Sequence, residues 1–208
     1  MQHWFVVHPD NPQARALRQA VNIIQNGGVI VYPTDSGYAL ACGLGQKQAV
    51  DRIRRIRQLK PEHYLSLVAR DLSGLGDYAQ VPTPIFRLLK AFTPGAYTFI
   101  LKASATLPKI MYHPKRKTIG FRVPEHPVTC ALLELLEAPL MSTSLSLPGL
   151  DVPITEPQAI KELLGKQVDL ILDIGPCEQD FTTVVDLTED VPKILREGKG
   201  DSRPFQLL

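Results

Sequence analysis

The sequence predicts a mixed α/β fold: a twisted sheet flanked by helices. Three observations lead there. Apolar residues recur at helical spacing in several segments. Short runs rich in Val, Ile, Leu and Phe alternate with those segments. Some of these runs follow one another with no helix between, so the sheet must mix parallel and antiparallel pairs. The 208 residues, 44% hydrophobic and 21% charged, suffice for one large domain with a full core, and residues 1–208 read as a single domain.

Asn11-Pro12 should open the first helix, with Asn as cap and Pro at the first helical position. Leu17, Val21 and Ile24 give it an apolar face, and Gly27-Gly28 ends it. Val29–Tyr32 reads as a buried strand, stopped by Pro33, which removes a ladder donor. A strand that ends in a polar turn is where α/β folds place ligands, so a nucleotide phosphate in a basic pocket around Tyr32–Gly37 is the first expectation. Gln46–Leu59 reads as a helix with Val50, Ile53 and Ile56 facing inward and arginines beside them. Leu65–Ala69 is a strand, and Thr83-Pro84 opens a helix running through Ala91. The turn Thr93-Pro94-Gly95 feeds a strand at Tyr97–Leu101. A strand at Thr118–Val123, a helix at Pro127–Leu136, a strand at Leu140–Ser144 and a helix at Glu156–Leu164 follow. Strands at Leu170–Ile174, Thr183–Leu187 and Lys193–Arg196 complete the pattern.

Composition narrows the function classes. No apolar run is long enough to span a bilayer, and the N-terminal residues lack the pattern of a secretion signal, so a cytoplasmic protein with no membrane partner is expected. Cys42, Cys130 and Cys177 form neither a CxxC pair nor a disulfide framework. The five histidines are scattered, so no zinc site and no metal held by protein side chains is expected. GxxxxGK[ST], GxGxxG and GxSxG are missing, and nothing calls for haem, a nicotinamide or a flavin. The net charge of +2 hides an asymmetry: residues 1–130 hold 17 Lys/Arg against 7 Asp/Glu, residues 131–208 hold 6 against 14. The basic stretches around Arg52 and Arg54, and Lys115, Arg116 and Lys117, can attract phosphates or RNA.

A nucleotide site here must be built from side chains at strand ends. Thr34 and Ser36 offer hydroxyls just past a strand. Arg55 and Arg57, one residue apart where the helix ends, can clamp a polyphosphate if that stretch is extended. Ser142 and Ser144 set two hydroxyls on one side of a strand end, and Arg196 adds a late cation before Gly198.

In this order the segments resemble the YrdC family, over nearly the whole chain. YPTDSGYAL, Thr93–Thr98, the GxRxPxHP match at Gly120–Pro127, Thr182–Asp186 and Ile194–Gly198 carry the resemblance. The HPDNPQ start, IRQL, KRKTIG and STSL…LPG look most like its YciO-like branch. The resemblance implies a concave basic cavity and the activity of the threonylcarbamoyl-AMP synthases. These join L-threonine, bicarbonate and ATP, with Mg²⁺ on the phosphates, to give threonylcarbamoyl-AMP and pyrophosphate for the modification of adenosine 37 of certain tRNAs. By the same resemblance Arg55, Arg57, Thr98, Ser144, Thr155 and Arg196 would face ATP, and Thr34, Arg122, Ser142 and Thr182 would face threonine or its carbamate. The chain departs from the synthases in four places: RxR for KxR at Arg55–Arg57, SxS for SxN at Ser142–Ser144, Thr182 for serine, and Leu67–Ala69 where the family carries a histidine. These departures fit weak synthase activity, a changed substrate, or an alternative in which the protein binds a nucleotide, tRNA or double-stranded RNA without turnover.

Overall fold

In the computed structural model, residues 3–60, 63, 65–113, 115–149, 154–178 and 180–206 are described. The strands are β1 (His3–Val6), β2 (Ile30–Thr34), β3 (Gly37–Gly43), β4 (Ser66–Val68), β5 (Ala79–Gln80), β6 (Tyr97–Ala103), β7 (Thr118–Arg122), β8 (Leu140–Ser144), β9 (Leu170–Asp173), β10 (Thr183–Asp186) and β11 (Lys193–Arg196). The helices are α1 (Ala14–Gln25), α2 (Lys47–Arg57), α3 (Leu75–Tyr78), α4 (Thr83–Phe92), α5 (Pro127–Leu136) and α6 (Pro157–Leu164). The strands form one mixed sheet in the order β1-β9-β2-β3-β8-β4-β7-β6-β10-β11, with β5 on β6. Four pairs are parallel (β1·β9, β2·β9, β4·β7, β6·β10) and the others are antiparallel. Among the described residues, no helix is long and apolar enough to cross a membrane.

The period-two side-chain alternation of β2 sorts the core onto two faces. Ile30 and Tyr32 join a cluster with Ala16, Leu17, Ala20 and Ile24 of α1 and Val128, Leu132 and Leu133 of α5. Val29 and Val31 join the opposite cluster, with Ala49, Val50 and Ile53 of α2 and Ile160 and Leu164 of α6. Each fully buried aliphatic side chain contributes roughly 1.5–3 kcal/mol, so the two stripes anchor α1 and α2 firmly. On the first face α1 and α5 cover β9, β2 and β3, and that cluster takes nothing from β6, β7 or β10. Those strands, with β4 and β8, turn alternate residues into a cavity instead.

Several elements depart from the sequence pattern. Helix α1 begins at Ala14, past Asn11-Pro12, because His8 Nδ1 accepts the Asp10 and Asn11 N–H groups and closes a turn ahead of it. Strand β2 does not stop at Pro33, which pairs with Tyr38 of β3. β9 flanks only Ile30 and Val31, so Pro33 stands where a missing N–H has no partner strand to lose. β3 is buried throughout on both faces, and its Tyr-Ala-Leu-Ala-Cys run shows neither alternation nor β-branched residues. Edge strand β1 and the short α3 and β5 also lacked a pattern long enough to read.

After β11 the chain folds back over the sheet. Gly198 N donates to Thr183 Oγ1 at 3.0 Å. A Cβ at Gly198 would collide with the Phe181 carbonyl, so only glycine passes there. Lys199 Nζ donates to the Asp35 carbonyl at 2.9 Å. Phe205 closes an aromatic cluster with Phe92, Tyr97 and Phe99.

Candidate functional site

The cavity has a volume of about 240 Å³. Its floor follows from strand periodicity: Ser66 and Val68 of β4, Gly120 and Arg122 of β7, Thr98 and Ile100 of β6, and Ser142 and Ser144 of β8 are each two residues apart and share one face. In register, Ser142, Ser66, Gly120 and Ile100 form one row across four strands. Ala39, His63, Thr143, Thr182, Val184 and Arg196 complete the wall.

Two cations dominate it. The Arg122 side chain, 8% exposed, is ion-paired with Asp35 from the β2–β3 turn. Asp35 also accepts the Glu125 N–H at 3.1 Å. Arg122 Nε is buried with no hydrogen-bond partner, which leaves that donor for a ligand. Arg196 donates from Nε and Nη2 to the Thr182 carbonyl at 3.1 and 2.9 Å, and from Nη2 to Thr182 Oγ1 at 3.1 Å. Thr182 Oγ1 in turn meets Thr98 Oγ1 at 2.8 Å, and the Arg196 guanidinium lies over Phe181, 5.0 Å from the ring centre. Burial, and then the charge of Arg122, lowers the pKa of Arg196. Two cations share this space with one nearby carboxylate, so the site favours an anion. His63 titrates below its ordinary value because of burial first and then Arg57, Arg196 and Arg54. It is therefore neutral at pH 7 and can accept a proton or hydrogen bond. Tyr32, pushed up to about 12 by burial, donates to Ser142 Oγ at 2.8 Å, and Ser142 donates to the Leu40 carbonyl at 3.0 Å.

Of the expected site residues, Thr98, Arg122, Ser142, Ser144, Thr182 and Arg196 converge on this cavity. Thr34 does not line it: its hydroxyl donates to the Gly37 carbonyl at 2.7 Å and accepts Ser36 N, holding the hairpin turn, and Asp35 is the residue that reaches Arg122. The Arg55–Arg57 stretch is helical, not extended. The two side chains stand about 160° apart around the axis, and Arg55 is exposed. Arg54 and Arg57, three apart, share a face instead; the Arg57 guanidinium donates to the Ser146 carbonyl, and Arg57 adjoins His63 in a groove with Gln58 and Lys60. Gln58 in the left-handed region, with its N–H on Arg55 O and that of Leu59 on Arg54 O, ends α2 there. Thr155 lies ahead of α6, its carbonyl accepting Cys177 N. Arg52 is neutralised by Asp169, so it adds little to a phosphate-attracting face. Lys115, Arg116 and Lys117 sit exposed beyond His113 in the β6–β7 connection, outside the cavity wall.

Sequence reasoning missed Asp35, His63, Ser66, Val68, Ile100 and Gly120. Three of them carried a signal: Gly120 and Ile100 lie two residues from Arg122 and Thr98 on the same strands, and Val68 falls in the stretch where a family histidine was sought. A different histidine, His63, reaches the cavity from the α2–β4 connection. Among the described residues, no three His, Cys, Asp or Glu side chains gather to hold a metal ion.

Comparison with known proteins places this architecture. The family model Sua5_yciO_yrdC, described as telomere recombination, matches residues 22–198. The YciO protein of Escherichia coli is 54% identical over 99% of this chain and 100% of its own length, and its crystal structure superposes with a TM-score of 0.93. A putative threonylcarbamoyl-AMP synthase of Methanocaldococcus jannaschii is 31% identical over 84% of this chain and 82% of its own. The crystal structure of Pyrococcus abyssi Sua5 complexed with L-threonine matches with a TM-score of 0.88 at 26% identity, over 98% of this chain and 60% of that one. The chain belongs to the Sua5/YciO/YrdC family.

Proposed function

We propose that this protein forms threonylcarbamoyl-AMP from L-threonine, bicarbonate and ATP, releasing pyrophosphate, at a turnover below that of the synthases. The observation that carries this reading is the buried Arg122 whose Nε lacks a partner, facing the Thr98–Thr182–Arg196 network. Arg122 takes the amino-acid carboxylate. Neutral His63 can accept a proton from the threonine ammonium, and the free amine then condenses with bicarbonate to a carbamate, losing water. A carbamate oxygen attacks the α-phosphorus, the bond to pyrophosphate breaks, and Arg196 offsets charge on the oxygens. The Arg54–Arg57 face lies toward the leaving phosphates. Magnesium carried in on those phosphates would supply further neutralisation and would be held by the phosphates themselves, since no carboxylate is among the described lining residues and Asp35 is engaged by Arg122. Turnover is low because Ser144 offers a short hydroxyl where the synthases carry an amide.

The test supplies L-threonine, labelled bicarbonate, Mg²⁺ and ATP. The expected result is threonine-dependent pyrophosphate together with labelled adenylate; no threonine-dependent product with enzyme at substrate concentration overturns the reading. A second reading, binding of tRNA or double-stranded RNA, is favoured by the exposed Lys115, Arg116 and Lys117. It requires affinity that falls steeply with added salt.

A further inference from the structure

We infer that Ser66 is a specificity residue: its hydroxyl reads the side-chain hydroxyl of the amino acid in the cavity. The inference rests on the amino-acid site proposed above.

The hydroxyls of the wall differ in what they have left to give. Ser142 is bound between Tyr32 and the Leu40 carbonyl, and Thr98 and Thr182 satisfy each other and Arg196. Ser66 stands in the floor row between Ser142 and Gly120, and its hydroxyl has no hydrogen-bond partner among the described residues. The same holds for Thr143 and Ser144, but these lie at the end of β8, where Ser144 is assigned to the nucleotide. Gly120 gives Ser66 room, since a Cβ there would stand 2.8 Å from Ser66 Oγ. The aliphatic part of the cavity lining is Val68, Ile100, Val184 and Ala39. A free hydroxyl in the middle of the floor, in a cavity that also offers aliphatic surface and on the face that carries Arg122, complements a branched side chain with one hydroxyl and one methyl. It selects against the isostere in which the hydroxyl is a methyl, because that ligand leaves Ser66 unpaired.

The experiment is calorimetric titration of the full chain with L-threonine, L-allo-threonine and L-valine. The wild type should bind L-threonine at least roughly tenfold more tightly than L-valine, the discrimination of one hydrogen bond, with the β-epimer weaker than L-threonine. Ser66→Ala should remove that preference by weakening L-threonine alone. Gly120→Ala, which displaces the Ser66 hydroxyl without deleting it, should also lower the threonine-to-valine ratio and covers the case in which Ser66→Ala is poorly folded. If threonine binds but its preference over valine survives both substitutions, the role of Ser66 is overturned while the amino-acid site stands. If no amino acid binds the wild type, the proposed function falls and this inference with it.

Discussion

Asp35→Asn separates the two duties of the Asp35–Arg122 pair. The Asp35 and Arg122 side chains are 11% and 8% exposed, so each compensates a charge that water reaches poorly. Breaking such a buried pair outright costs about 3–5 kcal/mol, because the surviving charge is left alone. Asparagine keeps an acceptor oxygen for Arg122 or for the Glu125 N–H but not the charge, so the expected loss is about 2 kcal/mol, the scale of a hydrogen bond to a charged group. For a chain of this length that lowers the melting temperature by about 4–8 °C. The same substitution frees Arg122 for a ligand carboxylate. Since a ligand stabilises the folded state in proportion to the logarithm of one plus its concentration over Kd, L-threonine should raise the melting temperature of the variant by more than it raises the wild type. Thermal unfolding across an L-threonine series measures both effects. A variant as stable as wild type would show that the pair compensates no buried charge; a smaller threonine shift would show that Arg122 is not the carboxylate receptor.

The other expectations concern single residues. His63 has a folded pKa below its unfolded value, so the unfolded chain binds the proton more readily and stability should fall as pH drops through the unfolded value of about 6.5. His126, lowered chiefly by burial, acts in the same direction. Denaturant titrations between pH 7.5 and 5.5 should show a shallower loss for His63→Gln than for wild type; an equal slope would remove His63 from the linkage. Ser144→Asn should raise threonine-dependent adenylate formation about tenfold, the scale of one ordinary hydrogen bond, and an unchanged rate would move the cause of low turnover elsewhere. Arg57→Ala should weaken ATP about tenfold, measured as KM, whereas exposed Arg55→Ala should leave it within about twofold. Equal effects would contradict the divergence of the two side chains on α2.

The helices and the later strands were legible because their apolar periods are strong, as in Val50, Ile53 and Ile56 of α2. β3 was not, since full burial on both faces erases alternation and its alanines carry little strand preference. Within the site, Arg122, Ser142, Ser144 and Arg196 could be found from motif and strand end. What sequence could not supply is the order β8-β4-β7-β6-β10, which sets Ser66 beside Gly120 and gives both to one cavity. That Arg55 and Arg57 diverge could not be read, because a single turn of helix decides whether alternate residues share a side. Asp35 was overlooked because a turn aspartate ordinarily serves its own backbone, and only the fold brings Arg122 to it.

The fold-back after β11 has a consequence for how the protein is made. Lys199 meets the Asp35 carbonyl across 164 residues of chain, and Arg196, one cavity wall, lies only three residues earlier. During translation the β2–β3 hairpin emerges early and waits through most of synthesis before its counterpart exists. The cavity wall is therefore completed late, only when the segment that carries Arg196 has been made.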